Sequence, residues 1–83
     1  MDYAIVTVRI LKLNWQKDME LPSKMSIKNL APLVLEMLKN YDISTFRDFS
    51  VLEFVFNGKK LNGEASLADY MIWDGSILDL ELR

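Results

Sequence analysis

The sequence predicts an α+β fold, with one main helix lying across one face of a five-strand mixed sheet in the order β-β-α-β-β-β. Three observations predict it. Apolar residues alternate with period two at both ends of the chain, they recur with helical period between Ile27 and Leu38, and turn pairs at Asn57-Gly58, Asn62-Gly63 and Asp74-Gly75 divide the second half. A helix and a sheet each have one apolar side to bury, and laying one on the other is the economical solution for that order.

The first strand is expected over Tyr3 to Leu13, with Val6, Val8 and Ile10 on one face and Thr7 and Arg9 on the other. A turn at Asn14-Trp15-Gln16-Lys17 leads to a short second strand, where Met19 and Leu21 alternate with Asp18 and Glu20 until Pro22 ends the pairing. Ser26 is a candidate helix N-cap whose hydroxyl can accept a first-turn N–H. Ile27, Leu30, Ala31, Val34 and Leu38 then form a core-facing stripe. Pro32 has no N–H to give an established ladder, so Asn29 is the alternative cap, with Pro32 in the first turn. The helix should end near Asn40. After a connection from Asp42 to Ser50, Val51 to Phe56 reads as a strand. Asn57-Gly58 reads as a tight hairpin turn with positive φ at both positions, and Lys59 to Leu61 as the return strand. Ser66 to Tyr70 is a short helical turn. In the last strand Leu78, Leu80 and Leu82 alternate with Asp79 and Glu81.

Composition removes whole classes of activity. At 83 residues the chain is expected to form a single domain over 1–83. Ten basic and twelve acidic residues are scattered evenly, for a net charge of −2, so no basic stripe exists to neutralise phosphates and nucleic-acid binding is not expected. Cysteine and histidine are both absent, which excludes disulfides, thiolate zinc sites and Ser-His or Cys-His nucleophiles. Asp79 and Glu81 point the same way two residues apart, but as a pair they read as the solvated side of a strand, and the glycines fall in separate turns and build no phosphate loop. No enzyme activity and no cofactor are expected. The longest weakly charged run, Asn29 to Leu35, is far short of the roughly 20 residues that span a bilayer, so direct membrane insertion is not expected either. Met1-Asp2-Tyr3 carries no signal-peptide features, and a cytoplasmic location follows as the expectation.

The C-terminal part adds a resemblance. Phe54-Val55-Phe56-Asn57-Gly58-Lys59-Lys60-Leu61, then Ser66-Leu67-Ala68-Asp69-Tyr70, then Ser76 to Arg83 lie against the corresponding part of ubiquitin without a gap. The first half resembles ubiquitin only in pattern. Asp18-Met19-Glu20-Leu21-Pro22, Ile27-Lys28-Asn29-Leu30 with Leu33-Val34-Leu35, and Asp42-Ile43-Ser44 are similar to the YukD-like proteins (EsaB is another member) of type VII secretion systems in Gram-positive bacteria. The resemblance implies a ubiquitin-like β-grasp fold. It also implies an accessory or regulatory role in a secretion apparatus, through protein partners in that machinery, recruitment to the inner face of the membrane, and pairing as a homodimer. The alternative is a ubiquitin-like adaptor or assembly domain unrelated to secretion. Conjugation is not expected, since the sequence stops at Leu82-Arg83 without the Gly-Gly that ubiquitin uses.

Candidate partner-binding residues fall in three places. Val55, Asp79 and Glu81 occupy the positions of ubiquitin's recognition patch, with two acidic residues where ubiquitin has histidine and valine, so a partner there should accept negative charge. On the helix, the apolar arc spans roughly 200° at 100° per residue, wider than one sheet needs. Leu33 and Met37 on one flank and Leu35 on the other either form a docking face or lie under the Asp42–Ser50 connection with its Ile43, Phe46 and Phe49. Trp15 is either an interface anchor at a loop tip or half-buried against the strands, whereas Trp73 is expected to pack.

Overall fold

In a computed structural model that describes residues 2–83, the order along the chain is β1 (Tyr3–Ile10), β2 (Trp15–Pro22), α1 (Ile27–Tyr41), α2 (Ile43–Phe46), β3 (Leu52–Phe56), β4 (Lys59–Lys60) and β5 (Ile77–Leu82). Short 3-10 turns occupy Leu11–Leu13 and Ala68–Tyr70. The five strands form one sheet in the order β2-β1-β5-β3-β4. β1 and β5 run parallel at its centre, and every other pair is antiparallel. With α1 laid across one face, this is the β-grasp arrangement that the sequence predicts.

Alternation decides which side chains enter the core. Ala4, Val6, Val8 and Ile10 of β1, Met19 and Leu21 of β2, Leu52 and Phe54 of β3 and Leu78, Leu80 and Leu82 of β5 are buried on the helix side. The helix returns Ile27, Leu30, Val34, Leu35 and Leu38 to them.

The first turn differs from expectation. β1 stops at Ile10, the chain makes its 3-10 turn three residues earlier than expected, and β2 begins at Trp15. Asn14 closes that turn in the left-handed region (φ 51°), with its N–H on the Leu11 carbonyl at 3.1 Å, a conformation that Asn tolerates better than most residues. Trp15 is therefore not at a loop tip. It stands opposite Ile10 on the core side of β2.

The helix start also differs in its chemistry. Ser26 is the cap residue, in extended conformation, but its hydroxyl accepts no cap bond, and the buried Oγ has no partner among the described residues. The first-turn donors are met instead by the 62–65 loop: the Ile27 N–H reaches the Ala65 carbonyl at 2.7 Å and the Lys28 N–H the Gly63 carbonyl at 3.0 Å. With the helix under way at Ile27, Pro32 lies inside it and Asn29 is not the cap. The connection after α1 is more ordered than expected. The Asp42 carboxylate caps α2, accepting from the Thr45 N–H at 3.3 Å and the Thr45 and Ser44 hydroxyls at 2.7 and 2.8 Å.

Asn57 (φ 52°) and Gly58 (φ 80°) make the β3–β4 turn with both central residues at positive φ, as the Asn-Gly pair demands. The loop beyond is tied down by its polar side chains. Ser66 and Asp69 bond reciprocally to each other's backbone N–H, and the Tyr70 hydroxyl accepts the Asn62 N–H at 2.7 Å.

Candidate protein-binding site

The face of the sheet away from α1 has no layer over it among the described residues, and its side chains follow from the same alternation. It presents Tyr3, Ile5, Thr7 and Arg9 of β1, Gln16, Asp18 and Glu20 of β2, Ile77, Asp79 and Glu81 of β5, and Glu53 and Val55 of β3. β1 pairs with β5 only from Thr7↔Ile77 to Arg9↔Asp79, whereas β5 runs on to Leu82 against β3. Where β1 leaves for its 3-10 turn, a cleft of about 580 Å³ opens between that turn and the end of β5. Ile10, Leu11 and Leu13 form one wall, Leu80 and Leu82 the other, and Phe49, Val55 and Gly58 border it, with Lys12, Asp79, Glu81 and Arg83 contributing charge.

Three of the residues singled out in the sequence, Val55, Asp79 and Glu81, are thus brought together. Their electrostatics need correcting. Asp79 does not wait for a partner's cation, because Arg9 grips it with Nε at 2.7 Å and Nη2 at 3.1 Å, in a fork matched to a carboxylate. That hydrogen bond, backed by the charge of Asp79, raises the pKa of Arg9. Glu53 is bridged by Arg83 at 2.6 Å and Lys60 at 3.4 Å. Glu81, opposite Glu53 on the neighbouring strand, is exposed and makes no ion pair among the described residues. The cleft floor is apolar and its charges are largely balanced from within.

The hydrogen bond from Arg83 holds the Glu53 carboxyl below its ordinary range, and the hydroxyls of Thr45 and Ser44 do the same for Asp42. A carboxyl with a lowered folded-state pKa favours the fold above its unfolded value and gives that up as pH falls through the lowered one. With no histidine to titrate above them, stability is expected to stay level from neutral pH to about 5 and to fall below about pH 4.5. Urea midpoints across that range should show the decline, and Glu53→Gln should make it shallower; an equally steep decline in the variant would remove Glu53 from the account.

The helix flank is divided. Leu35 is buried in the core at 8% exposure, so it is not a surface residue. Leu33 and Met37 are half-buried and packed against the core. The Asp42–Ser50 connection sends Phe46 inward to complete burial, while Ile43 stays exposed. Trp15 is half-buried, with its ring edge-on to Phe46 at 5.3 Å and to Tyr41 at 6.3 Å. Trp73, expected to pack, is 44% exposed. Its neighbour Asp74 is the docked residue, accepting the Ile5 N–H at 2.7 Å, so the turn is held while the indole stays outside.

Sequence reasoning missed Leu11, Lys12 and Phe49 in the cleft, and Tyr3, Ile5 and Ile77 on the open face. Leu11 looked like strand continuation, and only the early turn exposes it, at 69%. The open-face residues did leave a signal: Tyr3, Ile5 and Ile77 stand at positions where alternation calls for polar side chains.

Among solved structures, the chain is similar to the ubiquitin-like domain of the Mycobacterium tuberculosis type VII secretion system protein EccD1, with TM-score 0.75 and 23% identity over 96% of this chain and 98% of that one. It is similar also to the EccD5 ubiquitin-like domain from Mycobacterium xenopi, with TM-score 0.78 and 15% identity over 100% and 97%. A chain of the MycP5-free ESX-5 inner membrane complex matches at TM-score 0.78 and 13% identity, and there the whole of this chain corresponds to 21% of the other. These likenesses carry the fold. No curated protein sequence matches. The model of the WXG100 protein secretion system (Wss) protein YukD matches residues 5–80, and the chain belongs to that family.

Proposed function

We propose that this chain is a non-catalytic docking component of a WXG100-type (type VII) secretion apparatus, acting on the cytoplasmic side through reversible contacts with a protein of the machinery. The observation that carries the reading is the preformed apolar cleft beside Val55, Asp79 and Glu81 in a chain of the YukD family. A cleft with internally balanced charge suits an apolar side chain or short segment of a partner, with Glu81 and Lys12 at its rim to set orientation. The absence of histidine and cysteine from the sequence favours binding over covalent chemistry. A structural neighbour belongs to an inner membrane complex, which makes membrane-embedded machinery the first place to look for the partner. No helix among the described residues is long and apolar enough to cross a membrane.

Affinity capture from a host that carries the secretion system, read by mass spectrometry, tests this. Leu11→Glu is expected to lower recovery of a membrane ATPase or channel component at least about fivefold, with an unchanged melting midpoint. Leu33→Asp and Met37→Asp should weaken association, including any pairing of two copies, while leaving the chain folded. Recovery of no machinery component, or an intact mass showing covalent attachment, would overturn the reading. Unfolding of either helix variant would assign that residue to the core.

A further inference from the structure

We propose a second docking surface, at the other end of the open sheet face, that binds a basic amphipathic helix of a partner protein. Tyr3, Ile5 and Ile77 stand there 54%, 49% and 49% exposed. The register makes them neighbours: Thr7 pairs with Ile77, so Ile5 lies diagonally across from it, and Tyr3 is the next residue along β1 on the same face. Trp73 stands at the margin, because the Trp73–Ser76 turn is fastened to Ile5 on both sides. Ile5 donates its N–H to Asp74 at 2.7 Å and accepts the Gly75 N–H at 3.0 Å. Three large apolar side chains grouped on a sheet face, with an exposed tryptophan in the adjoining turn, are an unusual surface for a free domain, whereas isolated ones would need no account.

The charges around the patch specify what fits. Glu20 stands directly opposite Ile5 and Asp18 opposite Thr7, on the same face as the patch. Asp74 borders it, and Asp2 precedes Tyr3. Among the described residues, Arg9 is engaged by Asp79 at 2.7 Å and Lys24 pairs with Asp2 at 3.6 Å. The rim is acidic around an apolar centre, which complements lysine or arginine flanking an apolar stripe. A flat sheet face takes a helix as its covering layer, as α1 shows on the opposite side. This surface is distinct from the cleft and does not depend on the secretion reading.

The test uses the 83-residue chain and a synthetic helical peptide with leucine on one side and lysine on the other, beside a twin carrying glutamate for lysine. The lysine peptide is expected to shift backbone amide resonances over Tyr3–Arg9, Gln16–Pro22 and Trp73–Asp79, with the glutamate twin at least about tenfold weaker. Ile77→Thr changes no charge and should weaken binding at least about fivefold. Glu20→Gln should weaken it and lessen its salt dependence, and Leu11→Ser should leave it unchanged. Equal binding of the two peptides, parent-like binding by Ile77→Thr, or shifts that follow Leu11→Ser would overturn the proposal. Sedimentation showing a dimer that Ile77→Thr dissolves would overturn it too, by giving the face to a second copy. Failure of this proposal leaves the partner-capture reading of the cleft standing, since that is read separately through Leu11→Glu.

Discussion

Phe46→Ala is expected to cost about 3–5 kcal/mol of folding stability, the range for removing a buried phenylalanine ring from a core that cannot collapse around the gap. Phe46 is fully buried although it sits in a four-residue helix on what the sequence presents as a connection. Its ring is edge-on to Trp15 at 5.3 Å and tilted against Phe49 at 6.5 Å, so it joins β2, α2 and the approach to β3. A domain of this size has roughly 4–12 kcal/mol in total, and the loss would take much of it. Urea unfolding followed by tryptophan fluorescence measures the cost, since Trp15 reports directly on the site. A loss under about 1 kcal/mol would mean that the connection is not part of the core and that Phe46 only leans on it.

Pro32→Ala is expected to act in the opposite direction, raising stability by about 2–2.5 kcal/mol. Proline in a helix interior is about 3 kcal/mol worse than alanine, since it removes an N–H and its ring crowds the carbonyl four residues back, here that of Lys28. Against this stands about 0.4–1 kcal/mol that proline contributes by restricting the unfolded chain. Pro32 is exposed, so the exchange leaves no cavity. The same denaturation assay reads it, and a neutral or destabilised variant would show that the helix has adapted to its proline and gains nothing from the restored N–H.

Elements set by local rules were legible in the sequence. The Asn57-Gly58 turn had one good backbone solution, and the alternation of Leu78, Leu80 and Leu82 left one choice of face. Features set by distant partners were not. The cap of α1 comes from carbonyls of Gly63 and Ala65, more than thirty positions away, so Ser26 looked sufficient when it was not. α2 was within reach, since Asp42 followed by Ser44 and Thr45 is a capping pattern, but four residues show too little periodicity to register as a helix. Of the candidate site, Val55, Asp79 and Glu81 were named in advance because the resemblance to ubiquitin puts them at the positions of its recognition patch. The Arg9 fork that neutralises Asp79 requires knowing that the first strand lies parallel beside the last, which no local pattern states.

That central pairing of β1 with β5 also governs when the fold can appear during synthesis. These two adjacent interior strands are the first and the last of the sheet in chain order, so the opening hairpin and helix must wait with their apolar sides uncovered until the chain through Leu82 has been made. Closing so long a loop makes this sheet assemble more slowly than one built from neighbouring hairpins. A nascent chain halted before β5 would be a substrate for chaperones and proteases, not a smaller working domain.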